Sequence, residues 1–245
     1  MYFFEDTCMP SDETEISFCE DALEINILNH QTLDILGIYE QEMYTEDGDE
    51  TVSDGVFTKL KSAILTLLEK IGNIVSGFLD GMKVFSKNRI TYDDYIQSGT
   101  GQLRLSTDLF DIQKKLDVEY AKMRPIVSKI ANMSGSDILE VEKTCDAVTA
   151  HVHTYGKMYG KTAASLVSAA AVNKLSNHIV DQMEDVQKWR SETEASLKRM
   201  QRKTSPEKMK VTQKAVKAMG DLATAYKNIG NKAMNALKNA VNKRK

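Results

Sequence analysis

Apolar residues recur at spacings of three and four along most of this 245-residue chain. One run extends from Phe57 to Phe85, a second from Ile138 to Leu166 and a third from Ala215 to Ala236. Because an α-helix turns once every 3.6 residues, this spacing places the apolar side chains on one face of a helix. Only 3 prolines occur in the chain, so long segments can stay helical. The sequence predicts an all-α fold, an elongated helical bundle or coiled coil.

Charged and glycine-containing stretches divide the chain into three parts. Residues 1–54 are predicted to form an acidic N-terminal arm with one helix, whose pattern mixes helical and strand spacing. Residues 55–134 are predicted to hold an amphipathic helix, a loop and a kinked helix. Residues 135–245 are predicted to hold a long helix and a basic C-terminal helix with an alanine-rich seam. The long helix is expected from Asp137 to near Thr204, with a slip in its heptad pattern after Leu166 that indicates a stutter or a changed packing partner. Segment 88–105 interrupts the spacing, so we expect a small irregular or hairpin insertion there.

Charge is distributed very unevenly. Residues 1–58 contain sixteen acidic residues and no Lys or Arg, whereas 188–245 contain sixteen basic residues and four acidic ones. Blocks of like charge meet partners electrostatically, and a lysine-rich helix attracts phosphate backbones or acidic proteins. We therefore expect the two ends to bind each other or outside partners. The residues predicted to bind DNA or an acidic partner are Lys208, Lys210, Lys214, Lys217, Lys227, Lys232, Lys238, Lys243, Arg244 and Lys245.

Two apolar seams are expected to drive intramolecular or intermolecular bundling, with a homo-oligomer as the expected assembly. Seam residues recur at heptad-like intervals, which is the pattern by which helices pack together. The first seam consists of Ile138, Val141, Val148, Val152, Tyr155, Tyr159 and Leu166. The second seam contains Met219, Leu222, Tyr226 and Ile229.

Catalytic and metal-binding signatures are not recognisable in the sequence. The three cysteines lack the paired spacing of a zinc site, and His151 and His153 lie on opposite sides of a helix. We therefore expect no catalytic residues, no metal, no cofactor and no small-molecule substrate. The N-terminal residues lack the basic and apolar regions of a secretory signal, so secretion by a signal peptide is not expected.

The acidic leader, the glycine-containing amphipathic helix, the long methionine-containing helices and the lysine-rich tail together resemble internal head, scaffold or core structural proteins of tailed bacteriophages. The resemblance implies a non-enzymatic component of the virion, or of the cytoplasm of an infected cell, that contacts other virion proteins or packaged DNA. It also implies processing after a glutamate, for which Glu40, preceded by Ile38 and Tyr39, is the candidate.

Besides an enzyme with dispersed catalytic residues, which predicts a deep polar pocket with strongly perturbed titrating groups, two other function classes stay open. The first is a membrane-acting helical protein, a pore-former or translocator, that uses residues 56–85; core packing of that helix is favoured, because its lysines are mixed with Glu69 and Asp80. The second is a nonspecific nucleic-acid-binding protein whose acidic arm competes with nucleic acid for the basic tail.

Overall fold

The computed structural model describes residues 13–44, 54–87, 101–130, 133, 135–158, 163–201 and 204–242. These residues form six helices and two short strands, and the mostly helical fold agrees with the predicted class. The elements in chain order are α1 (Glu13–Tyr44), α2 (Asp54–Lys87), β1 (Gln102–Ser106), α3 (Asp108–Lys129), α4 (Gly135–Gly156), β2 (Ala164–Ser168), α5 (Ala169–Arg199) and α6 (Pro206–Asn242).

Helix α6 occupies the centre of the fold, because each of the other five helices packs against it. Its buried residues are not confined to one stripe, because the consecutive residues Val211, Thr212 and Gln213 are all buried, as is every residue from Leu222 to Tyr226. A helix that is buried around its whole circumference must accept neighbours on every side, and small side chains permit this close approach. One shared core thus receives helices from all three predicted parts of the chain, which are residues 1–54, 55–134 and 135–245.

Helix α1 runs antiparallel to α6. Along α1, Asp21 contacts Lys227, the amide of Asn29 accepts a hydrogen bond from Gln213, and the hydroxyl of Tyr39 donates one to the backbone carbonyl of Thr204 at 2.7 Å. As the residue numbers along α1 rise from 21 to 39, the numbers of their partners on and just before α6 fall from 227 to 204. The two helices therefore run in opposite directions. The acidic helix therefore lies along the basic helix within one chain.

The prediction of one long helix from Asp137 to near Thr204 is wrong. Helix α4 ends at Gly156, strand β2 follows, and α5 begins at Ala169. The heptad count passed through Gly156, which weakens a helix, and into Ala164–Ser168, which pairs as a strand with Gln102–Ser106. The side chain of Ser168 then accepts a hydrogen bond from the backbone of Ala171 and caps the new helix.

The strand pairing also differs from the predicted insertion at 88–105. Strand β1 pairs antiparallel with β2, from Gln102 opposite Ser168 to Ser106 opposite Ala164. The pairing joins segments about 60 residues apart, so it is not a local hairpin, and periodicity within 88–105 could not reveal its partner. Residues 88–100 lie outside the described residues.

Two glycines provide a matched test of the central position of α6. A Cβ atom at Gly230 would approach the ring of Phe78 to 2.5 Å, whereas at Gly77, on α2, nothing lies within 4 Å. We predict that Gly230→Ala lowers the free energy of unfolding by about 1–3 kcal/mol through overpacking. Gly77→Ala should raise it by about 1 kcal/mol through helix propensity.

Urea unfolding followed by circular dichroism measures both changes. If Gly230→Ala stabilised the chain as much as Gly77→Ala does, α2 and α6 would not approach as closely as described.

Candidate functional site

The predicted basic surface lies largely within the fold. Lys208, Lys210, Lys214, Lys217, Lys227, Lys232 and Lys238 are all on α6 and all half-buried. Lys243, Arg244 and Lys245 lie outside the described residues. The long lysine stems cover the core while the ammonium groups reach its edge. At that edge several of the ammonium groups pair with carboxylates of the chain, and most of these pairs join two helices.

The first charged contact joins α1, α2 and α6. The carboxylate of Asp21 pairs with Lys227 of α6 and with Lys70 of α2, the latter at 3.4 Å, while Lys70 also pairs with Glu24. Burial alone would lower the pKa of Lys70, but its hydrogen bond to Glu24 and the charge of Asp21 outweigh that effect and raise the pKa. The contact therefore joins the acidic helix α1 to α2 and to the basic helix α6.

The second charged contact joins α4 and α6. The ammonium group of Lys214 lies 2.8 Å from Glu142 and 2.7 Å from Asp146, and that of Lys210 lies 3.2 Å from Glu142. The hydrogen bond from Lys214 is the main reason that the pKa of Glu142 is lowered. Burial would lower the pKa of Lys214, but its hydrogen bonds to Asp146 and Glu142 raise it overall.

A buried carboxylate joins α3 to α4. Glu119 has a side chain that is only 2% exposed. Lys122 donates to both of its oxygens at 2.9 Å, and His151 Nδ1 lies 3.0 Å from Oε1. Glu119 also contributes, after burial, to a raised pKa of Tyr155. Because a buried carboxyl group is costly without hydrogen-bond partners, Glu119 depends on both Lys122 and His151.

Asp117 joins three helices. Its carboxylate accepts a hydrogen bond from the hydroxyl of Tyr226 on α6 at 2.9 Å, and His178 Nε2 of α5 lies 3.0 Å from both oxygens. Nearby, the hydroxyl of Tyr120 donates to Asp185 at 2.7 Å, and burial is the main reason that the pKa of Tyr120 is raised.

His151 and His153 of α4 each have a carboxylate neighbour. His151 contacts Glu119, and His153 of α4 lies 3.6 Å from Asp221 of α6, which Lys217 also contacts at 2.8 Å. Each carboxylate belongs to a different helix from the histidine. These pairs therefore serve contacts between helices in the described part of the chain.

The seam residues are placed mostly in the chain's own core. Val141, Val148 and Val152 of the first seam are buried, as are all four residues chosen from the second seam. Ile138 and Tyr155 are half-buried. Leu166 is 64% exposed and lies on β2 rather than on a helix, because the heptad spacing was extended past the end of α4. Tyr159 lies outside the described residues.

The remaining chemistry-bearing side chains do not converge. Burial raises the pKa of Cys145 to about 12, so this thiol stays protonated at neutral pH. In the part of the chain that the structure describes, no group of three or more His, Cys, Asp or Glu side chains could hold a metal ion. The candidate processing residue Glu40 lies on α1 and is half-buried.

Two open clefts lie at helix junctions. One, of about 530 Å³, lies where α1, α4 and α6 meet and is lined by residues that include Glu40, Leu139 and Lys210. The other, of about 760 Å³, lies between α3 and α5 and includes Arg124, Lys188 and Trp189 in its lining. Both combine charged and apolar side chains at the surface.

Sequence reasoning missed Glu119 and Asp117 as contact residues. A signal for Glu119 was present: it lies three residues after Leu116 and four before Met123, both of which are core residues. At helical spacing those positions place Glu119 at the inner edge of α3. Its partner His151 belongs to another helix and could be identified only from the fold.

A scan against protein-family models, a search of curated proteins and a search of solved structures each found no match to this chain.

The pH dependence of unfolding tests the contact around Glu142. Its pKa is lower in the folded chain, so the stability it provides is present above the unfolded-state pKa and is lost as the pH falls through the folded-state value. We predict that Glu142→Gln lowers the free energy of unfolding at pH 7 by about 1–2 kcal/mol. The difference from the unmodified chain should shrink toward about pH 3, where carboxylates become protonated.

The matched control is Glu140→Gln, an exposed position on the same helix. Urea unfolding at both pH values measures the effect. An equal change in both variants, or a difference that persists unchanged in acid, would contradict the assigned role of Glu142.

Proposed function

We propose that the chain is a non-enzymatic structural or assembly protein of the virion type. It self-associates through helical surfaces and contacts DNA or an acidic protein with its basic C-terminal part. The elongated, coiled-coil-like bundle and the acidic arm belong to the same proposal, as does a location in the virion or in the cytoplasm of an infected cell. The expected partners are further copies of the chain and other virion proteins.

One observation carries the proposal of self-association. Several helices whose inner faces fill the core also present large apolar side chains to solvent, and Leu23, Ile27 and Ile38 do so on the same helix, α1. Their exposed fractions are 60%, 48% and 51%. Single exposed apolar side chains are common on monomeric proteins, whereas a group on one face favours a contact with another molecule.

Sedimentation velocity of the full chain tests this part of the proposal. We predict that the weight-average mass rises above that of a 27.5 kDa monomer as the concentration increases over about 1–100 μM, a range in which specific contacts of moderate affinity form. A monomer throughout that range would contradict self-association of this chain.

The contact with DNA is proposed for the basic residues at the C-terminal end. The ammonium groups of Lys210, Lys214, Lys217 and Lys227 already pair with carboxylates of the chain. Releasing them to phosphate would take a cation from each of these carboxylates, of which Asp21 is buried and Glu142 and Asp221 are half-buried. We therefore assign the main contact to Lys243, Arg244 and Lys245.

Fluorescence anisotropy of duplex DNA at several salt concentrations counts these contacts. We predict a slope of log affinity against log salt near −3, since three phosphates would be neutralised at about 0.9 counterions each. Replacing the three terminal basic residues with Ala should abolish binding. A slope near −6 that survives this replacement, about 0.9 counterions for each of the seven lysines of α6, would show instead that these lysines leave their ion pairs to bind DNA.

A membrane-acting protein is the alternative, and one observation favours it. Among the described residues, the helix segment Gly55–Lys83 is long and apolar enough to cross a membrane, although the core helix of a soluble protein passes the same test. Leu60, Ile64 and Leu67 from its apolar face are fully buried against the other helices. Core packing thus accounts for this face, and binding of the full chain to anionic vesicles would distinguish the alternative.

A further inference from the structure

Two exposed helix faces differ in charge but match in spacing. The first, which we name the α1 face, contains Leu23, Ile27, Asp34 and Ile38. The second, the α3 face, contains Lys114, Val118, Pro125 and Lys129. Each set follows intervals of 4, 7 and 4 residues, which keeps it on one side of a helix over about 22 Å.

The α1 face is acidic around an apolar row. Its three large apolar side chains are each about half exposed or more. Glu20 and Glu24 are exposed beside them, with Asp34 in the row itself. The sequence of α1 contains no Lys or Arg. A partner surface must therefore supply both apolar contact and positive charge to match it.

The α3 face has the opposite charge around its own apolar row. Val118 is 56% exposed, and Ala121 and Pro125 are exposed beside it. Between 112 and 129 of α3 the exposed charged side chains are basic, and these are Lys114, Lys115, Lys122, Arg124 and Lys129. One exposed acid, Asp111, lies one turn before Lys114 and pairs with it at 3.6 Å. Asp117 accepts a hydrogen bond from Tyr226, and the buried Glu119 pairs with Lys122 and contacts His151. The positive charge that no carboxylate of α3 offsets is therefore carried by Lys115, Arg124 and Lys129.

The two faces belong to different sides of the molecule. Helix α1 packs against α2 and α6, whereas α3 packs against α4, α5 and α6. Each face points away from the core, as the exposure of Ile27 and Val118 shows. One copy can therefore present both faces at once to two different neighbours.

We propose that the α1 face of one copy docks on the α3 face of a second copy. This inference rests on the proposed self-association and names its interface. Pairing α1 with α1 would bring acids together, and pairing α3 with α3 would bring lysines together, and like charges across an interface are costly. The contact is thus heterologous, and repeating it generates a ring or an open filament.

A pair of variants tests the interface. Ile27→Lys places a positive charge in the α1 face, and Val118→Glu places a negative charge in the α3 face; both sites are exposed, so folding should be preserved and is verified by circular dichroism. We predict that each variant alone is monomeric in sedimentation velocity. An equimolar mixture should form a 1:1 complex, because the α1 face of the Val118→Glu copy can still dock on the α3 face of the Ile27→Lys copy.

Leu139→Lys and Leu139→Glu are the matched controls, since Leu139 is 61% exposed on α4. Both should assemble as the unmodified chain does. If the unmodified chain assembles and neither interface variant weakens that assembly, the α1–α3 contact is overturned. The proposed self-association would then remain intact. Monomeric variants that fail to form the 1:1 complex would also overturn it. A monomeric unmodified chain would overturn both.

Discussion

The burial of α6 on all sides is the constraint on which the rest of the structure depends. Alanine and glycine along this helix, such as Ala215, Ala223 and Gly230, let neighbours approach its backbone closely. The lysines that interrupt them extend their stems over the core and end at its edge, beside acids from α1 and α4. The same helix thus provides the packing centre and the positive charges that position its neighbours.

This arrangement brings the acidic N-terminal helix of the sequence against its basic C-terminal helix. The antiparallel contact between α1 and α6 brings Asp21 to Lys227, and between those helices Asn29 and Gln213 form a buried polar pair. A polar pair inside an apolar interface favours one register, because any shift leaves its atoms without partners. Helix α1 is thereby held with its second apolar row facing solvent, where it can meet another copy.

Much of the helical architecture was predictable because it depends on local periodicity. The stripe from Phe57 to Phe78 followed directly from its spacing. The central position of α6 was not predictable, since its lysines were assigned to a surface that binds DNA or an acidic partner, and only the fold shows what surrounds them. The β1–β2 pairing and the Glu119–His151 contact join distant segments, and a single sequence does not record which distant residues meet.

Amide hydrogen exchange along α6 tests the central claim most directly. A helix enclosed by five others can exchange only when the fold opens, so amides from Val211 to Ile229 should be the most protected of the chain and should exchange with the free energy of global unfolding. A solvated basic helix would exchange by local fraying, independently of the other helices. Protection of α6 that matched or fell below that of the exposed strand β2 would contradict the account.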